Sequence, residues 1–214
     1  MEPKTEKKSV FIICSVRKAD DATRKELVAY KQKLESQGYK VHLPHLDTNQ
    51  SGSGHEICVQ NTTANITAAE THVFYDEKSE GSHFDIGVKF VDIYLHPERL
   101  FHVITYSTDD PLNILHLQRI FDEKFQGYGA WSKKLEEMIK KDVIPIEYRP
   151  KRMYATHIEL GMAFALCTLF PEKRINVIYN GGIMEENGQY IILFERSFGT
   201  MIMEWEEHQA KTHS

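Results

Sequence analysis

An unbroken apolar block, Ser9-Val-Phe-Ile-Ile-Cys14, has the length of a strand and the character of one buried on both faces of a parallel sheet. From 20 to 37 the pattern changes. Leu27, Tyr30 and Leu34 recur at helical spacing among lysines and glutamates, and Gly38 supplies a stop. A short strand over Val41–Leu43 ends at Pro44. Strand, helix, strand is a βαβ unit, whose right-handed crossover makes the neighbouring strands parallel. Residues 46–56 are rich in Ser, Gly, Asn and Asp and read as a loop, and a helix follows over about 57–70. Thr71–Asp76 is the next strand, Glu77–Ser82 a loop, 83–96 a helix and Leu100–Tyr106 a strand. Between 107 and 142, one amphipathic segment (Leu112, Leu115, Ile120, Phe121) is separated by Gln126-Gly-Tyr-Gly129 from a second around Trp131–Ile139. Val143–Tyr148 then reads as a strand, 157–170 as a helix and Ile175–Tyr179 as a strand. Turn signals at Asn180-Gly-Gly182 and Asn187-Gly188 frame a strand over Tyr190–Phe194 and a last helix near 198–210. This alternation predicts an α/β fold, a Rossmann-like parallel sheet flanked by helices. One domain is expected over 1–214, with a flexible tail at 1–8 and a helical insertion at 107–142.

Residues 83–106 align without a gap on 157–180. Identities fall at His83/His157, Gly87/Gly161, Phe90/Phe164, Leu95/Leu169, Pro97/Pro171, Glu98/Glu172, Val103/Val177 and Ile104/Ile178. Asp85/Glu159, Ile86/Leu160 and Arg99/Lys173 are conservative pairs. The acid is expected in the first helical turn, where the dipole favours negative charge. The glycine marks a close approach of helix and strand backbones, and the Pro-Glu-basic triplet ends the helix and turns the chain into the next strand. Each copy follows a strand, so the predicted repeat is β-loop-α-β.

Composition narrows the function classes. Apolar residues make up 41% and charged residues 27%, an ordinary globular balance, and the net charge is −5. That sign argues against a protein built to grip extended nucleic acid or anionic membrane. A local basic patch at Lys140, Lys141, Arg149, Lys151 and Arg152 reads as a solvated face. No apolar run reaches the ~20 residues of a membrane span, and Met1–Lys8 lacks a secretory signal's apolar stretch. Cys14, Cys58 and Cys167 form no CxxC pair, so neither a disulfide framework nor a zinc site is suggested. A cytoplasmic location is the expectation.

In open parallel sheets, ligands sit beyond the carboxyl ends of the strands. Three segments should meet there: Cys14-Ser15-Val16-Arg17, Asp76 to Asp85, and Arg149 to Glu159. Each ends a strand and opens a helix, whose free N–H groups attract anions. Arg17 favours a phosphorylated ligand, since guanidinium clamps phosphate. His83 and His157 invite a metal reading, but single histidines without a ligand cluster rarely hold one. His42, His45 and Asp47 read as a loose surface cluster. Tyr128 and Trp131 could stack on a base or fill the core. Neither GxGxxG nor GxxxxGK[ST] occurs, so no dinucleotide or P-loop fingerprint is present, and no cofactor or metal is expected.

The sharpest motif is Gly81-Ser82-His83-Phe84-Asp85-Ile86-Gly87, which follows a strand ending in an acid. It resembles the nucleoside 2-deoxyribosyltransferase-like family over roughly residues 8–106. The resemblance includes the opening apolar strand, the helix at 20–37, the strand near 41 and the helix before Thr71. It implies an enzyme of N-glycosides, a nucleoside or nucleotide deoxyribosyltransferase or hydrolase, whose acid attacks the anomeric carbon and forms a glycosyl ester. That role falls on Asp85, where the family carries Glu. Asp76, Gly81, Ser82, His83, Cys14, Ser15 and Arg17 would then bind sugar or phosphate. The family's upstream acid would fall near Thr62, where this chain has none; Asp76 or His83 is the substitute proton source. The second copy, Thr156-His-Ile-Glu159-Leu-Gly161-Met-Ala163, keeps the family's Glu-Leu-Gly-x-Ala, so Glu159 is the alternative nucleophile. The resemblance also implies a homo-oligomer, since members often complete one another's sites. Two further readings stand beside it: a non-catalytic sensor of a nucleotide-derived ligand, and a Toll/interleukin-receptor-like NAD-cleaving domain.

Overall fold

The computed structural model describes residues 8–16, 19–52, 54–76, 79–104, 127–148 and 153–179. The first βαβ unit comprises β1 (Ser9–Ile13), α1 (Asp21–Ser36) and β2 (Lys40–His42). Asp20 caps α1 by accepting a hydrogen bond from the Thr23 N–H at 2.8 Å. Gly38, at φ 91°, turns the chain out of the helix in a conformation that only glycine adopts without strain. Pro44 does more than end β2: it starts the short helix α2 (Pro44–Asp47), where a missing N–H costs nothing. Helix α3 (Gly54–Thr67) begins three residues earlier than its apolar pattern suggests. Strand β3 (Glu70–Phe74), helix α4 (Glu80–Leu95) and strand β4 (Leu100–Ile104) complete the second unit.

These strands form one all-parallel sheet in the order β2-β1-β3-β4. Its two faces are covered separately. Val10, Ile12 and Phe74 meet Leu27 and Leu34 of α1 on one side. Phe11, Ile13 and Val73 meet α3 and α4 on the other. With helices on opposite faces, the chain reverses its winding between β1 and β3. That is the topological switch point at which such sheets bind ligands.

Beyond the sheet lie α5 (Gly127–Ile139), β5 (Val143–Tyr148), α6 (Met153–Leu169) and β6 (Arg174–Tyr179). Among the described residues, β5 and β6 pair only with each other, in parallel, and do not extend the first sheet. Helix α6 packs on α4 and on both of these strands, and Ile144, Ile146 and Ile175 share one core with Phe84, Val88 and Phe164. The Gly127–Gly129 stretch, expected to separate two amphipathic segments, is the first turn of α5, and Trp131 packs against that core. The segment around Leu112–Phe121, the basic residues 149, 151 and 152, and everything expected beyond 179 lie outside the described residues. No described helix is long and apolar enough to cross a membrane.

Helices α4 and α6 cross at a pair of glycines, so the close approach is between two helices and not between helix and strand. A Cβ on Gly87 would overlap the Ile158 carbonyl, and one on Gly161 would overlap the Phe84 carbonyl. Behind them the units β3-α4-β4 and β5-α6-β6 close their helices alike. His96 N–H bonds to Asp92 and Arg99 N–H to His96, at 2.8 and 3.0 Å. Phe170 N–H bonds to Leu166 and Lys173 N–H to Phe170, at 2.8 and 2.9 Å. The basic residue of each Pro-Glu-basic triplet then reaches back to the helix preceding its unit: Arg99 to the Ile66 carbonyl, Lys173 to the Ile139 carbonyl. Cations are favoured at those carboxyl ends.

Arg99 also pairs with Asp92, which binds the fully buried Lys89 ammonium at 2.6 Å. Lys89 donates to the Ala68 carbonyl as well, so the triad pins α4 to the end of α3. Replacing Lys89 with Met is expected to lower unfolding free energy by about 2 kcal/mol or more, because it strips the Ala68 carbonyl and one Asp92 oxygen of their buried donor even though Arg99 still pairs with Asp92. Urea denaturation checks this.

Candidate functional site at the carboxyl end of β1 and β3

Cys14 and Ser15 follow β1, and Tyr75 and Asp76 follow β3, so both flank the switch point. The chain then enters α4 through Ser79. Its hydroxyl accepts from the Ser82 N–H at 3.2 Å and from the Ser82 hydroxyl at 2.9 Å. Ser79, rather than Ser82, is therefore the cap, and the helix starts earlier than the Gly81-Ser82 pair suggests. Two expectations change. Gly81 and Ser82, read as loop, lie inside the first turn of α4, and a side chain on Gly81 would meet nothing within 4 Å. Asp85 lies in the second turn, past the reach of the helix dipole, while Glu80 is the first-turn acid. Glu159 is likewise beyond the first turn, because α6 starts at Met153.

Asp85 is almost wholly buried, and burial alone pushes its carboxyl up to about 8. At neutral pH the unliganded protein thus holds a protonated acid there. Its own carbonyl accepts a 2.8 Å hydrogen bond from Asn65 of α3, whose amide oxygen also accepts from the Thr71 hydroxyl at 3.4 Å. One buried amide thereby ties α3, α4 and β3 together beneath Asp85. Thr62, one turn earlier on α3, is fully buried, and its hydroxyl makes no hydrogen bond among the described residues. Cys14 lies close enough to feel the Asp85 charge. Burial first, and that charge second, push its thiol up to about 12. Cys14 is therefore a neutral thiol and no nucleophile at ordinary pH. His83 is buried, with its Nε2 3.5 Å from the Tyr75 hydroxyl. Ser15 and Ser82 are buried and Asp76 half-buried at the same edge.

The structure thus gathers Cys14, Ser15, Asp76, Gly81, Ser82, His83 and Asp85 at the ends of β1 and β3. Arg17 lies outside the described residues. Glu159 does not join them. Its half-exposed carboxylate pairs with Lys134 of α5 at 3.3 Å, whereas Asp85 neighbours Cys14. His157, the counterpart of His83, is also buried. Asp47, grouped with His42 and His45 in the sequence, is a structural residue: it pairs with Lys31 at 3.0 Å and accepts from the Leu43 N–H. Asn65, Tyr75 and Ser79 complete the site's surroundings and carry no motif. A polar Asn on the buried stripe of α3 is the only signal that could have singled out the first of them.

The fold and the site together define an α/β protein with a buried acid at the switch point of a parallel sheet. Compared with family models, with curated proteins and with solved structures, the chain matches none.

Proposed function

We propose that this edge is an N-glycoside site for a nucleoside or nucleotide, with Asp85 as the reacting carboxyl. The observation that carries the reading is a buried carboxyl at the carboxyl ends of β1 and β3, with no cation among the described residues that lowers its pKa. Burial disfavours the carboxylate most when nothing positive is near. A glycosyl centre developing oxocarbenium charge is such a partner, so stabilisation grows as the reaction proceeds. In the step itself, one Asp85 oxygen attacks the anomeric carbon as the bond to the base nitrogen breaks. The electron pair leaves with the base, which takes up a proton from Asp76 or His83. Water or an acceptor base then cleaves the glycosyl ester. Ser15 and Ser82 supply hydroxyls for sugar or phosphate.

The decisive experiment incubates the protein with nucleosides and nucleoside monophosphates and follows free base by chromatography. Base release by the parent, and none by Asp85→Asn, is expected; equal turnover by both removes Asp85 from the reaction. With Asp85 as nucleophile, kcat/KM should rise with pH through about 8 and then level, because only the ionised form attacks. A fall over that range would instead make it a general acid.

A second reading, a sensor that binds the same ligand without cleaving it, is favoured by one observation. The face of α3 towards Asp85 carries Asn65 and Thr62 where a second carboxylate would assist the leaving base. Thermal stabilisation by a nucleotide without base release is its signature.

We also infer that the two β-α-β units are copies of one unit, packed by an approximate two-fold axis through Gly87 and Gly161. The reciprocal glycine contacts, the matching helix closures and the matching reach of Arg99 and Lys173 support this. On that reading the first copy kept a buried acid and the second a solvated, paired one.

A further inference from the structure

Strand alternation places Glu70 and His72 on the same face of β3, and the parallel register sets His102 of β4 directly beside His72. This is the face turned towards α1, opposite the one on which α4 packs. The three side chains converge on one oxygen. Glu70 Oε2 is 3.5 Å from His72 Nε2 and 3.9 Å from His102 Nε2, and the three ligand atoms all lie within 4.8 Å of one another.

Three features of the cluster are unusual for a purely structural contact. His72 Nε2 is buried and makes no hydrogen bond among the described residues, although it faces the carboxylate. Its other ring nitrogen is already engaged, 2.8 Å from the Tyr30 hydroxyl. The hydroxyl can accept from Nδ1–H, and in that tautomer Nε2 carries the lone pair a metal needs. Finally, Glu70 is buried, and the cation that pairs with it, the exposed Lys8 ammonium, approaches the other oxygen, Oε1, at 3.7 Å. Oε2 is left facing two imidazoles.

We propose that Glu70, His72 and His102 bind a divalent transition-metal ion of the Zn2+ type. With metal–ligand bonds of about 2.0–2.1 Å, two ligand atoms on a tetrahedral ion stand about 3.4 Å apart. The observed 3.5 and 3.9 Å lie near that separation, and the two histidine nitrogens stand within 4.8 Å of each other. Two imidazoles and one carboxylate suit a borderline ion and not Ca2+ or Mg2+, which prefer oxygen cages. The half-exposed His102 leaves the fourth position open to water. The ion would clasp the edge strand β4 to β3, on the sheet face away from Asp85, so the site stands or falls independently of the N-glycoside reading.

The test uses the full chain without a histidine tag, stripped with a chelator, with Zn2+ and Co2+ as probes. One equivalent of zinc retained after dialysis is expected, together with a raised Tm and the intense visible bands of four-coordinate Co2+. His102→Ala removes a half-exposed ligand and should still fold. It should weaken zinc binding at least tenfold and abolish the Co2+ bands, and Glu70→Gln should do the same. Tyr30→Phe should weaken binding about tenfold while keeping the stoichiometry. Substoichiometric zinc in the parent, or binding unchanged in both ligand variants, overturns the proposal and assigns any bound metal to other surface histidines.

Discussion

Asp85→Asn is expected to make the protein more stable above about pH 4, increasingly so up to about pH 8, while abolishing base release. The sign follows from the raised carboxyl. A free Asp titrates near 3.9 in the unfolded chain, whereas the folded protein holds the proton up to about 8. Between those values the native state binds more protons than the unfolded state, so stability falls as pH rises. It levels off once the folded form has also ionised. At pH 7 the cost is on the order of 4 kcal/mol, and Asn, neutral at every pH and of the same shape, does not incur it. Denaturant midpoints for parent and variant should nearly coincide at pH 4 and diverge steadily towards pH 8. A variant that is no more stable at pH 8 would refute burial as the cause. Stability gained where activity is lost is the mark of an acid kept in an unfavourable place for its chemistry.

The same residue shows where sequence reading succeeds and where it stops. Local pattern located β1, α1, β5 and the two β-α-β units, because burial on both sheet faces and helical spacing leave marks within a few residues. It placed the start of α4 too late. Ser79 and Ser82 are both capping residues, and which one caps depends on how β3 delivers the chain. That error put Asp85 within reach of the dipole, when its real setting is a buried second turn. The separate pairing of β5 with β6 was equally hidden, since a parallel pair looks the same in sequence whether or not it joins a larger sheet. Asn65 is silent for a related reason: its value lies in reaching Asp85 and Thr71, which tertiary contact alone brings near. The Glu70, His72 and His102 cluster is the extreme case. His72 and His102 share no local motif and meet only through strand register. Glu159 was the reverse, a residue that matched the family's pattern and that the fold turns towards Lys134.

Gly87→Ala and Gly161→Ala should each destabilise the protein by about 3 kcal/mol or more, a large effect for adding one methyl group. Alanine is normally the better helix former by up to about 1 kcal/mol, so propensity alone predicts the opposite sign. Packing decides it. The new Cβ would meet backbone: the Ile158 carbonyl for Gly87, the Phe84 carbonyl for Gly161. Backbone cannot rotate away as a side chain can, so α4 and α6 must move apart. Separation would loosen Phe84 against Phe164, whose rings now meet edge to face at 5.5 Å, and open the core shared by both units. Because the two glycines guard one crossing, the effects should not add. Once the first alanine has parted the helices, the second meets less resistance, and the double variant should cost clearly less than the two singles together. Additive costs would mean that the two contacts yield independently, and an approximate two-fold crossing would no longer describe how the units are joined. Gly81→Ala is the matched control. It lies on the same helix with open space around it, and it should be neutral or slightly stabilising.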